Sequence, residues 1–592
     1  MKKALAIILC ILLLVALSAC KNNKTSPPEL TEQQIYEELF KLENKITLKL
    51  DMTDEELGKM QADYEAYDLK GSKSPIYRKA NLTVTITTPE HITYTYTIDE
   101  VGVRMKGNTS RTHFYSKDEG LYNIIHLKLS FKETFDDADY YGSEAKKWND
   151  DARKERKNRT FATLEKLDLR WNRCDDGTYL KEYFAYETYR NYGVLAPHTN
   201  LASFNWAGIH MGVFTINEPI DDIFLEKNLP QEALGGDLYK IGWAGSYNGS
   251  FTSAVSIGIE DEDTASFYAY DLKTNKKSSQ HQSLKDLIQK LNSGSVTKES
   301  FSQLVEMETF LPYCAVSYLL GNPDDLRNNY NNTYIYFRAD NGKAVLIPYD
   351  YDRCLGVTTH WNPTGDGVTS DNPFSLKQAA TNADQQSPLF LYSVTAGGYY
   401  VREYAQLLTQ ITNDTWFRYE NFDRLYRVAY ANYSKLSLPS KHFYNTEGLQ
   451  FRFDIDRTSD FSSNGNISIA EYLSAKEKTL LRYLEDVDKY ADMKQEIPAV
   501  WYIRSDVTSW QNNEAFAMTV EEEVVTILIS CEKTIRLKVY NNQTDRWYGT
   551  ECIGEDCDVT YTTDDHTNII LEAGNWRITF DPVAERITLA SA

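Results

Sequence analysis

One stretch, Gly321 to Gly356, constrains the fold of this chain more than any other. It contains a predicted β-hairpin that is flanked on both sides by Asp or Asn residues. Thr333–Phe337 and Ala344–Ile347 are rich in aromatic and β-branched residues, with an Asp-Asn-Gly turn between them. The open ends of two antiparallel strands meet in space. The sequence therefore predicts that Asn332 and Asp350 lie close together, although 18 positions separate them.

Carboxylate and carboxamide side chains flank this hairpin, with Asp324, Asp325 and Asn332 before it and Asp350 and Asp352 after it. Oxygen donors of this kind suit Mg²⁺ or Mn²⁺. Protein kinases hold Mg-ATP with an Asp, an Asn a few residues later, a short hairpin and a metal-binding Asp. An ordinary surface turn with a local ion pair is the second interpretation, and it fits these residues equally well.

The first twenty residues have the features of an export signal. A basic start is followed by an apolar run that is too short for a comfortable membrane span, and the run ends in Leu-Ser-Ala-Cys. This ending resembles a bacterial lipobox, which implies cleavage before Cys20 and lipidation of that residue. We therefore expect an extracytoplasmic protein that is lipid-anchored to the bacterial cell membrane. A plain signal peptide with a chance cysteine is the alternative.

The formal net charge is −22, and removal of the two lysines in the signal makes it −24. An acidic chain argues against nucleic acid as a partner, because basic patches supply most of that affinity. A length of 592 residues predicts two or more domains. We expect a lipoprotein signal peptide at 1–20, a polar tether at 21–30, a main domain at 31–496 and a β-sandwich module at 497–592.

The elements ahead of the hairpin follow a recognisable order. Strands are predicted at 82–87, 92–98, 101–106, 124–131 and 164–169, a helix at 179–192, and two strands at 199–205 and 210–217. A glycine turn, strands carrying lysines and a helix carrying a glutamate therefore precede the hairpin. The amino-terminal lobe of a protein kinase leads into its catalytic loop in the same way.

Several segments stand in a fixed order along the chain: VGVRMKGNTS at 101–110, LDL at 167–169, YLKE at 179–182, YGVLAP at 192–197, MGVF at 211–214 followed by Glu218, DLYK at 237–240, NTYIY at 332–336 and IPYDYDR at 347–353. The first and the last two resemble the IRYKGNSS, NYYLY and PWDxD elements of the spore coat protein H (CotH) kinase-like family. The resemblance spans roughly Lys45 to Met493. Each motif is loose by itself, and the shared order carries the resemblance.

This resemblance implies an α+β protein with an atypical bilobal protein-kinase-like fold, followed here by a small all-β sandwich. Members of the family phosphorylate spore-coat proteins. Asp350 corresponds to the metal-binding Asp of the family, Asn332 to a second ligand of Mg²⁺ or Mn²⁺, and Asp352 is included in the metal site. The other catalytic Asp falls on Asp325 or Asp324. We predict Asp325 as the base and Asp324 as solvated or paired with Arg327.

The ATP-binding residues are predicted from the same resemblance. Lys128 paired with Glu182 is the favoured phosphate-binding arrangement, with Lys106 and Lys132 as alternatives. Arg104 could also bind phosphates, because a planar guanidinium group clamps them through two hydrogen bonds. Glu218, which follows a matching motif, completes the set. A solvated strand residue is the alternative interpretation for each lysine.

A second metal is suggested by residues 460–471, which fit the twelve-residue calcium loop of an EF-hand. Asp460, Ser462, Asn464 and Glu471 supply the oxygen donors, and a glycine stands at the sixth position. The entering helix is missing from the sequence pattern. A helix start capped by its own side chains is therefore the alternative to Ca²⁺ binding.

The C-terminal hundred residues alternate in short β runs and predict a small sandwich. It looks like the starch-binding-type modules of extracellular proteins, and exposed Trp501, Trp510 and Trp547 could stack on the rings of a polysaccharide. Burial in the core is the alternative for at least two of them. Cys552 and Cys557 either close a small disulfide loop or remain free thiols.

Two functions follow from these patterns. The first is an ATP- and divalent-metal-dependent phosphotransferase acting on Ser or Thr of proteins at the cell or spore surface. The second is a catalytically inactive kinase-like scaffold or carbohydrate-attachment lipoprotein, which the scarcity of ATP outside the membrane favours. Metal-dependent binding of ATP distinguishes the two.

Overall fold

The computed structural model describes residues 29–294, 296–359, 367–375, 386–458, 465–493, 501–521, 524–542, 546–553, 556–562 and 567–592. Helices and strands both contribute substantially, which confirms the α+β class. Cys20 lies outside the described residues. Within the described ranges, no helix is both long enough and apolar enough to cross a lipid bilayer.

The first half of the chain is organised around a closed seven-stranded barrel with the strand order β1-β2-β3-β6-β7-β9-β8. The first nine strands are β1 Lys45–Asp51, β2 Arg78–Thr87, β3 Thr93–Lys106, β4 Tyr115–Ser116, β5 Gly120–Leu121, β6 His126–Ser130, β7 Lys166–Trp171, β8 Thr199–Trp206 and β9 Ile209–Asn217. β1 pairs with β8 in parallel, and every other barrel pair is antiparallel. β4 and β5 form a separate ribbon.

Every second residue of a barrel strand is apolar and points into the barrel, because successive side chains of a strand point to opposite faces. In β1, Ile46, Leu48 and Leu50 are fully buried, and the residues between them are more exposed. On the outer face of the barrel the register aligns Arg104, Lys128 and Asp168 across three neighbouring strands. A row of charged groups therefore crosses one wall of the barrel.

A second sheet contains the hairpin. Its strands are β10 Leu238–Ile241, β11 Ile257–Gly258, β12 Tyr270–Leu272, β13 Thr333–Phe337 and β14 Ala344–Pro348, in the order β11-β12-β10-β13-β14. β13 and β14 pair from Thr333 opposite Pro348 to Phe337 opposite Ala344. The predicted hairpin is thus confirmed, and the backbone N–H of Tyr349 donates to the carbonyl of Asn332 at its open end (3.2 Å).

Helices surround both sheets. In chain order the α-helices are Glu32–Phe40, Asp54–Asp68, Ala138–Tyr141, Asp150–Lys157, Lys181–Asn191, Asp222–Asn228, Gln282–Leu291, Lys298–Leu304, Met307–Leu320, Leu326–Asn329, Pro388–Leu391, Val401–Asn413, Tyr419–Tyr433, Ile469–Leu484 and Val487–Ala491. Met307–Leu320 is apolar around most of its circumference, which is typical of a helix inside a core. It packs in the largest apolar cluster, together with Lys181–Asn191 and the second sheet.

The C-terminal residues form two further sheets around their own apolar core. The strands are β15 Trp501–Ser505, β16 Thr519–Glu521, β17 Val524–Cys531, β18 Ile535–Asn541, β19 Arg546–Gly549, β20 Cys552–Ile553, β21 Cys557–Asp558, β22 Thr560–Tyr561, β23 Ile569–Leu571, β24 Gly574–Asp581 and β25 Arg586–Ser591. Cys552 and Cys557 are joined by a disulfide. The indole N–H of Trp501 donates to the carbonyl of Ser293 (2.8 Å), which attaches these sheets to the rest of the chain.

Candidate functional site

Asp325 lies at the start of the short helix Leu326–Asn329 and is fully buried. Its carboxylate accepts hydrogen bonds from the backbone N–H of Asn328 (2.8 Å), the hydroxyl of Ser317 (2.6 Å) and the hydroxyl of Tyr351 (3.3 Å). Burial raises the pKa of Asp325 to about 6, in spite of these donors. The Asp325 side chain therefore caps a helix and accepts hydrogen bonds from two hydroxyl groups in the core.

Asp324 is less buried than Asp325, and it lies among the amide groups that precede the hairpin. Its carboxylate accepts hydrogen bonds from the amide groups of Asn329 (2.7 Å), Asn331 (3.0 Å) and Asn332 (3.1 Å). The Asn332 amide also donates to the backbone carbonyl of Asp324 (3.0 Å). Burial raises the pKa of Asp324, and the charge of Asp350 acts in the same direction.

The structure therefore reverses the predicted placement of the two adjacent aspartates. The Asp325 side chain points into the core and not towards the hairpin mouth. It caps the helix Leu326–Asn329, and it accepts a hydrogen bond from Ser317 of the preceding helix Met307–Leu320. The expected pairing of Asp324 with Arg327 is also replaced, since the guanidinium of Arg327 lies against Asp371 (3.0 Å). Asp324 is held instead by amides that include the predicted metal ligand Asn332.

Asp350 and Asp352, at the other side of the hairpin mouth, converge on Arg170 of β7. The guanidinium contacts Asp350, Asp352 (2.9 Å) and Glu182 (2.6 Å). Burial raises the pKa of Glu182 to about 7, and the two aspartates add to the rise against the opposing effect of Arg170. Three carboxylates thus share one buried guanidinium.

The pKa values of the two aspartates are shifted in opposite directions. Burial works to raise the pKa of Asp350, but the charges of Arg170 and Lys106 outweigh it and hold the pKa below its ordinary value. For Asp352, burial together with the negative charge of Asp350 raises the pKa. Asp350 is therefore the carboxylate that is best prepared to bind a cation.

Two of the predicted phosphate-binding lysines extend this network along the barrel wall. Lys106 pairs directly with Asp168, and the Lys128 ammonium lies 3.7 Å from the same carboxylate. Burial lowers the pKa of Lys128 to about 7, with Asp168 opposing and Lys106 adding to the shift. Lys106 also lies over the ring of Tyr349, 5.4 Å from its centre.

The expected Lys128–Glu182 pair is wrong, because Glu182 pairs with Arg170 and Lys128 pairs with Asp168. Sequence reasoning missed Arg170 altogether. A signal was present: in β7 the charged residues Lys166, Asp168 and Arg170 alternate with apolar ones, which places all three on one face of the strand.

The remaining predicted nucleotide-binding residues lie in other clusters. Arg104 donates to the carbonyl of Ser74 (3.1 Å) and lies 3.7 Å from Glu262. Lys132 pairs with Glu165. Glu218 is buried beside Lys227 and His198, each at 3.4 Å.

The donor set at the hairpin mouth fits a hard divalent cation. Asp324, Asn332, Asp350 and Asp352 offer oxygen atoms, the donors that Mg²⁺ and Mn²⁺ prefer. Within the described residues, no three His, Cys, Asp or Glu side chains already enclose a metal position. Mg²⁺ is commonly held by one or two carboxylates together with substrate phosphates, so this arrangement suits a metal that arrives with a nucleotide.

Of the four predicted oxygen donors of the calcium loop, only Glu471 lies within the described residues. Asp460, Ser462 and Asn464 lie outside the described residues. The Glu471 carboxylate accepts hydrogen bonds from the backbone N–H (3.0 Å) and hydroxyl (2.9 Å) of Ser468, in a capping box that begins the helix Ile469–Leu484. Glu471 therefore has a structural partner, as the alternative interpretation expects.

A family model described as CotH kinase protein matches residues 104–460, which is more than half of the chain. The match defines the chain as a kinase-like protein. It belongs to the CotH kinase protein family, which confirms the resemblance found in the sequence motifs.

The other comparisons add little. No curated protein matches the chain. Among solved structures, SusF from Bacteroides thetaiotaomicron is similar over 16% of this chain and 24% of that chain, with 25% identity and a TM-score of 0.13. The chain thus spans about a quarter of the length of SusF, and so weak a likeness carries no argument.

Proposed function

We propose that this protein is an ATP- and divalent-metal-dependent phosphotransferase that acts on Ser or Thr of extracytoplasmic or spore-coat proteins. The observation that carries the proposal is the arrangement at the hairpin mouth, where Asn332 donates both to the carboxylate and to the backbone carbonyl of Asp324. Asp324 is thereby fixed on one side of the mouth, and Asp350 lies on the other. Family membership supports the same activity.

Each group has a chemical role in this proposal. Asp324 orients the acceptor hydroxyl and accepts its proton, and the three amide donors favour its ionised form. Asn332, Asp350 and Asp352 would hold Mg²⁺ or Mn²⁺. The metal, when bound, neutralises charge on the phosphates of ATP. Most of the rate then comes from positioning and charge neutralisation.

The proposed bilobal kinase-like fold assigns the barrel to one lobe and the second sheet with its helices to the other. Kinases require an ion pair between a strand lysine and a helix glutamate next to the metal-binding Asp. Here Arg170 of β7 and Glu182 of the helix Lys181–Asn191 form a pair that also contacts Asp350. Lys106 and Lys128 lie on Asp168, two positions before Arg170 in β7, and would contact the phosphates.

Thermal unfolding of the full chain with and without ATP and Mn²⁺ tests this proposal. We expect a rise in Tm that requires both ligands, together with transfer of the γ-phosphate to a protein acceptor such as dephosphorylated casein. Binding without transfer would indicate a nucleotide-binding scaffold. If neither binding nor transfer occurs, the phosphotransferase is excluded and the inactive scaffold takes its place.

A second candidate function is attachment to a polysaccharide, and the C-terminal sheets favour it. The rings of Tyr540 and Trp547 lie 4.9 Å apart, and Trp510 lies 6.3 Å from Trp547. Both tryptophans are half-buried, whereas Trp501 is buried in the core and is not available to a sugar. Retention of the protein on insoluble starch, and its loss in Trp547→Ala, would support this function; equal retention of both would exclude it.

The proposed lipid anchor at Cys20 is tested separately in the bacterial host. Cys20→Ser should move the protein from the membrane fraction to the soluble fraction and abolish its labelling by fatty acid. Continued labelling of the variant would contradict the anchor.

Calcium binding at 460–471 is tested by the Ca²⁺ dependence of Tm in Asp460→Ala and wild type.

A further inference from the structure

The segment 367–375, which follows the hairpin, is fixed to three helices through one residue, Asp371. Asp371 accepts from Arg327 of the helix Leu326–Asn329 (3.0 Å) and from Lys476 of the helix Ile469–Leu484 (2.7 Å). The hydroxyl of Tyr318, on Met307–Leu320, donates to the backbone carbonyl of Asp371 (3.0 Å). The Asp371 side chain thus joins this segment to two helices, and the Asp371 backbone carbonyl joins it to a third.

The two cations of this cluster are deeply buried. The side chains of Arg327 and Lys476 are 5% and 1% exposed, against 21% for Asp371. Both cations lie over the ring of Tyr318, at 5.1 and 3.5 Å from its centre. Removing the Asp371 carboxylate would leave the buried charges of Arg327 and Lys476 without this anionic partner, which is a severe perturbation for a protein interior.

Backbone carbonyls of the same segment complete the contacts. Arg327 donates to the carbonyl groups of Asn372 (3.2 Å) and Ser375 (3.0 Å), and Lys476 donates to that of Val368 (2.7 Å). The cluster therefore fixes the path of the backbone on both sides of Asp371. It does so without a covalent modification, whereas many kinase loops need an added phosphate to contact an arginine.

The position of Arg327 connects this cluster to the proposed catalytic residue. Arg327 lies in the same four-residue helix as Asn329, whose amide donates to Asp324. Asp325 caps that helix. A shift of Arg327 would therefore move Asn329 and change the orientation of the Asp324 carboxylate. The side chain of Asp350 is held by Arg170, which belongs to the barrel and not to this helix.

We propose that Asp371 is a positioning residue: through Arg327 it fixes the helix Leu326–Asn329, and so it orients Asp324 for the acceptor hydroxyl. This inference rests on the proposed phosphotransferase function. Its consequence is that loss of the Asp371 carboxylate should lower phosphate transfer more than it weakens the binding of metal and ATP.

The test compares Asp371→Asn with wild type and with Asp423→Asn, which removes a partly exposed carboxylate paired with Arg427 on the helix Tyr419–Tyr433. We measure kcat for transfer to dephosphorylated casein, the Kd for ATP with Mn²⁺, and hydrogen exchange of the amides at 326–332. Asp371→Asn should lower kcat about 10- to 100-fold. Its Kd should change less than about twofold, and exchange at 326–332 should become faster. Asp423→Asn should match wild type.

Asp371→Glu keeps the charge and provides the rescue variant, with kcat and exchange closer to wild type than in Asp371→Asn. If Asp371→Asn does not fold, Asp371→Glu is compared directly with wild type: a fall in kcat with faster exchange at 326–332 and an unchanged Kd supports the proposal, and a Kd that rises as much as kcat falls overturns it. Unchanged kcat and exchange, or a Kd that rises as much as kcat falls, would overturn the proposal. If wild type transfers no phosphate, the phosphotransferase function fails. Faster exchange at 326–332 would then still support the coupling, and unchanged exchange would overturn it.

Discussion

Two buried arginines lie on either side of the hairpin mouth, and their partners differ. Arg170 contacts three carboxylates, those of Glu182, Asp350 and Asp352. Arg327 contacts the carboxylate of Asp371 together with backbone carbonyl groups. The first group gathers the oxygen atoms of three carboxylates around one guanidinium, and these are the donors that a divalent cation prefers. In the second, backbone carbonyl groups share with one carboxylate the compensation of Arg327 and Lys476, and these contacts hold the segment 367–375.

The largest expected effect tests the first group. Asp350→Ala removes the carboxylate with the lowered pKa and should reduce metal-dependent phosphate transfer by about 10³-fold or more. The fold should persist, because Asp350 follows a strand end and its side chain is about one-third exposed. Initial rates with ATP and Mn²⁺ measure the effect, and Asp340→Asn in the exposed hairpin turn is the control. Wild-type rates in Asp350→Ala would show that the metal site lies elsewhere.

The adjacent aspartates give the next effect. Asp324→Asn should lower the transfer rate about 10²- to 10⁴-fold while Mg-ATP still binds, because it removes the proton acceptor. Asp325→Asn should change the rate far less, since its side chain is a helix cap in the core. Parallel measurement of rate and ATP affinity in both variants decides the assignment. The reverse pattern would return the role of base to Asp325.

The two arginines themselves can be compared by stability. Arg170→Met and Arg327→Met should each lower the free energy of unfolding by about 3–5 kcal/mol, because each leaves buried partners uncompensated. Millimolar Mg²⁺ should recover part of the loss in Arg170→Met, where the three carboxylates can bind it. Urea unfolding with and without Mg²⁺ measures this difference. Equal recovery in both variants would refute the distinction between the two groups.

The smallest effect concerns pH. The folded-state pKa of Asp325, about 6, exceeds the ordinary value of 3.8, so the unfolded chain ionises first as the pH rises. Asp325 should therefore cost up to about 3 kcal/mol of stability between pH 4 and pH 6, with no further change above that range. The stability of Asp325→Asn should fall less steeply over this range. Parallel urea midpoints at pH 4, 5 and 6 test the slope.

The sequence predicted the hairpin, the α+β class and the family, because each depends on local patterns. Turn chemistry and β-branched runs define β13 and β14, and the order of short motifs defines the family. It could not predict which of two adjacent aspartates faces the site. That choice depends on Ser317 and Asn328, which reach Asp325 from a preceding helix and from the following one.

Arg170 was missed for a related reason. Its side chain meets Glu182 and Asp350 only after β7 is placed in the barrel, and strand alternation gives a face but not the element that covers it. The pairing of Lys128 was predicted wrongly because the neighbouring strand supplies Asp168 directly opposite it. The closed barrel was also beyond local patterns, since its closing pair joins distant strands.

That closing pair has a consequence for biosynthesis. Leu48 of β1 pairs with Phe204 of β8, 156 positions later. At about 5–20 residues per second, a ribosome needs on the order of 8–30 s to supply the partner strand. During that time the backbone of β1 has an open edge. The hydroxyl of Tyr433, which donates to the carbonyl of Leu201 and accepts from the N–H of Ile46, is synthesised later still. Nascent chains that stop before β8 therefore carry an exposed strand edge that favours self-association.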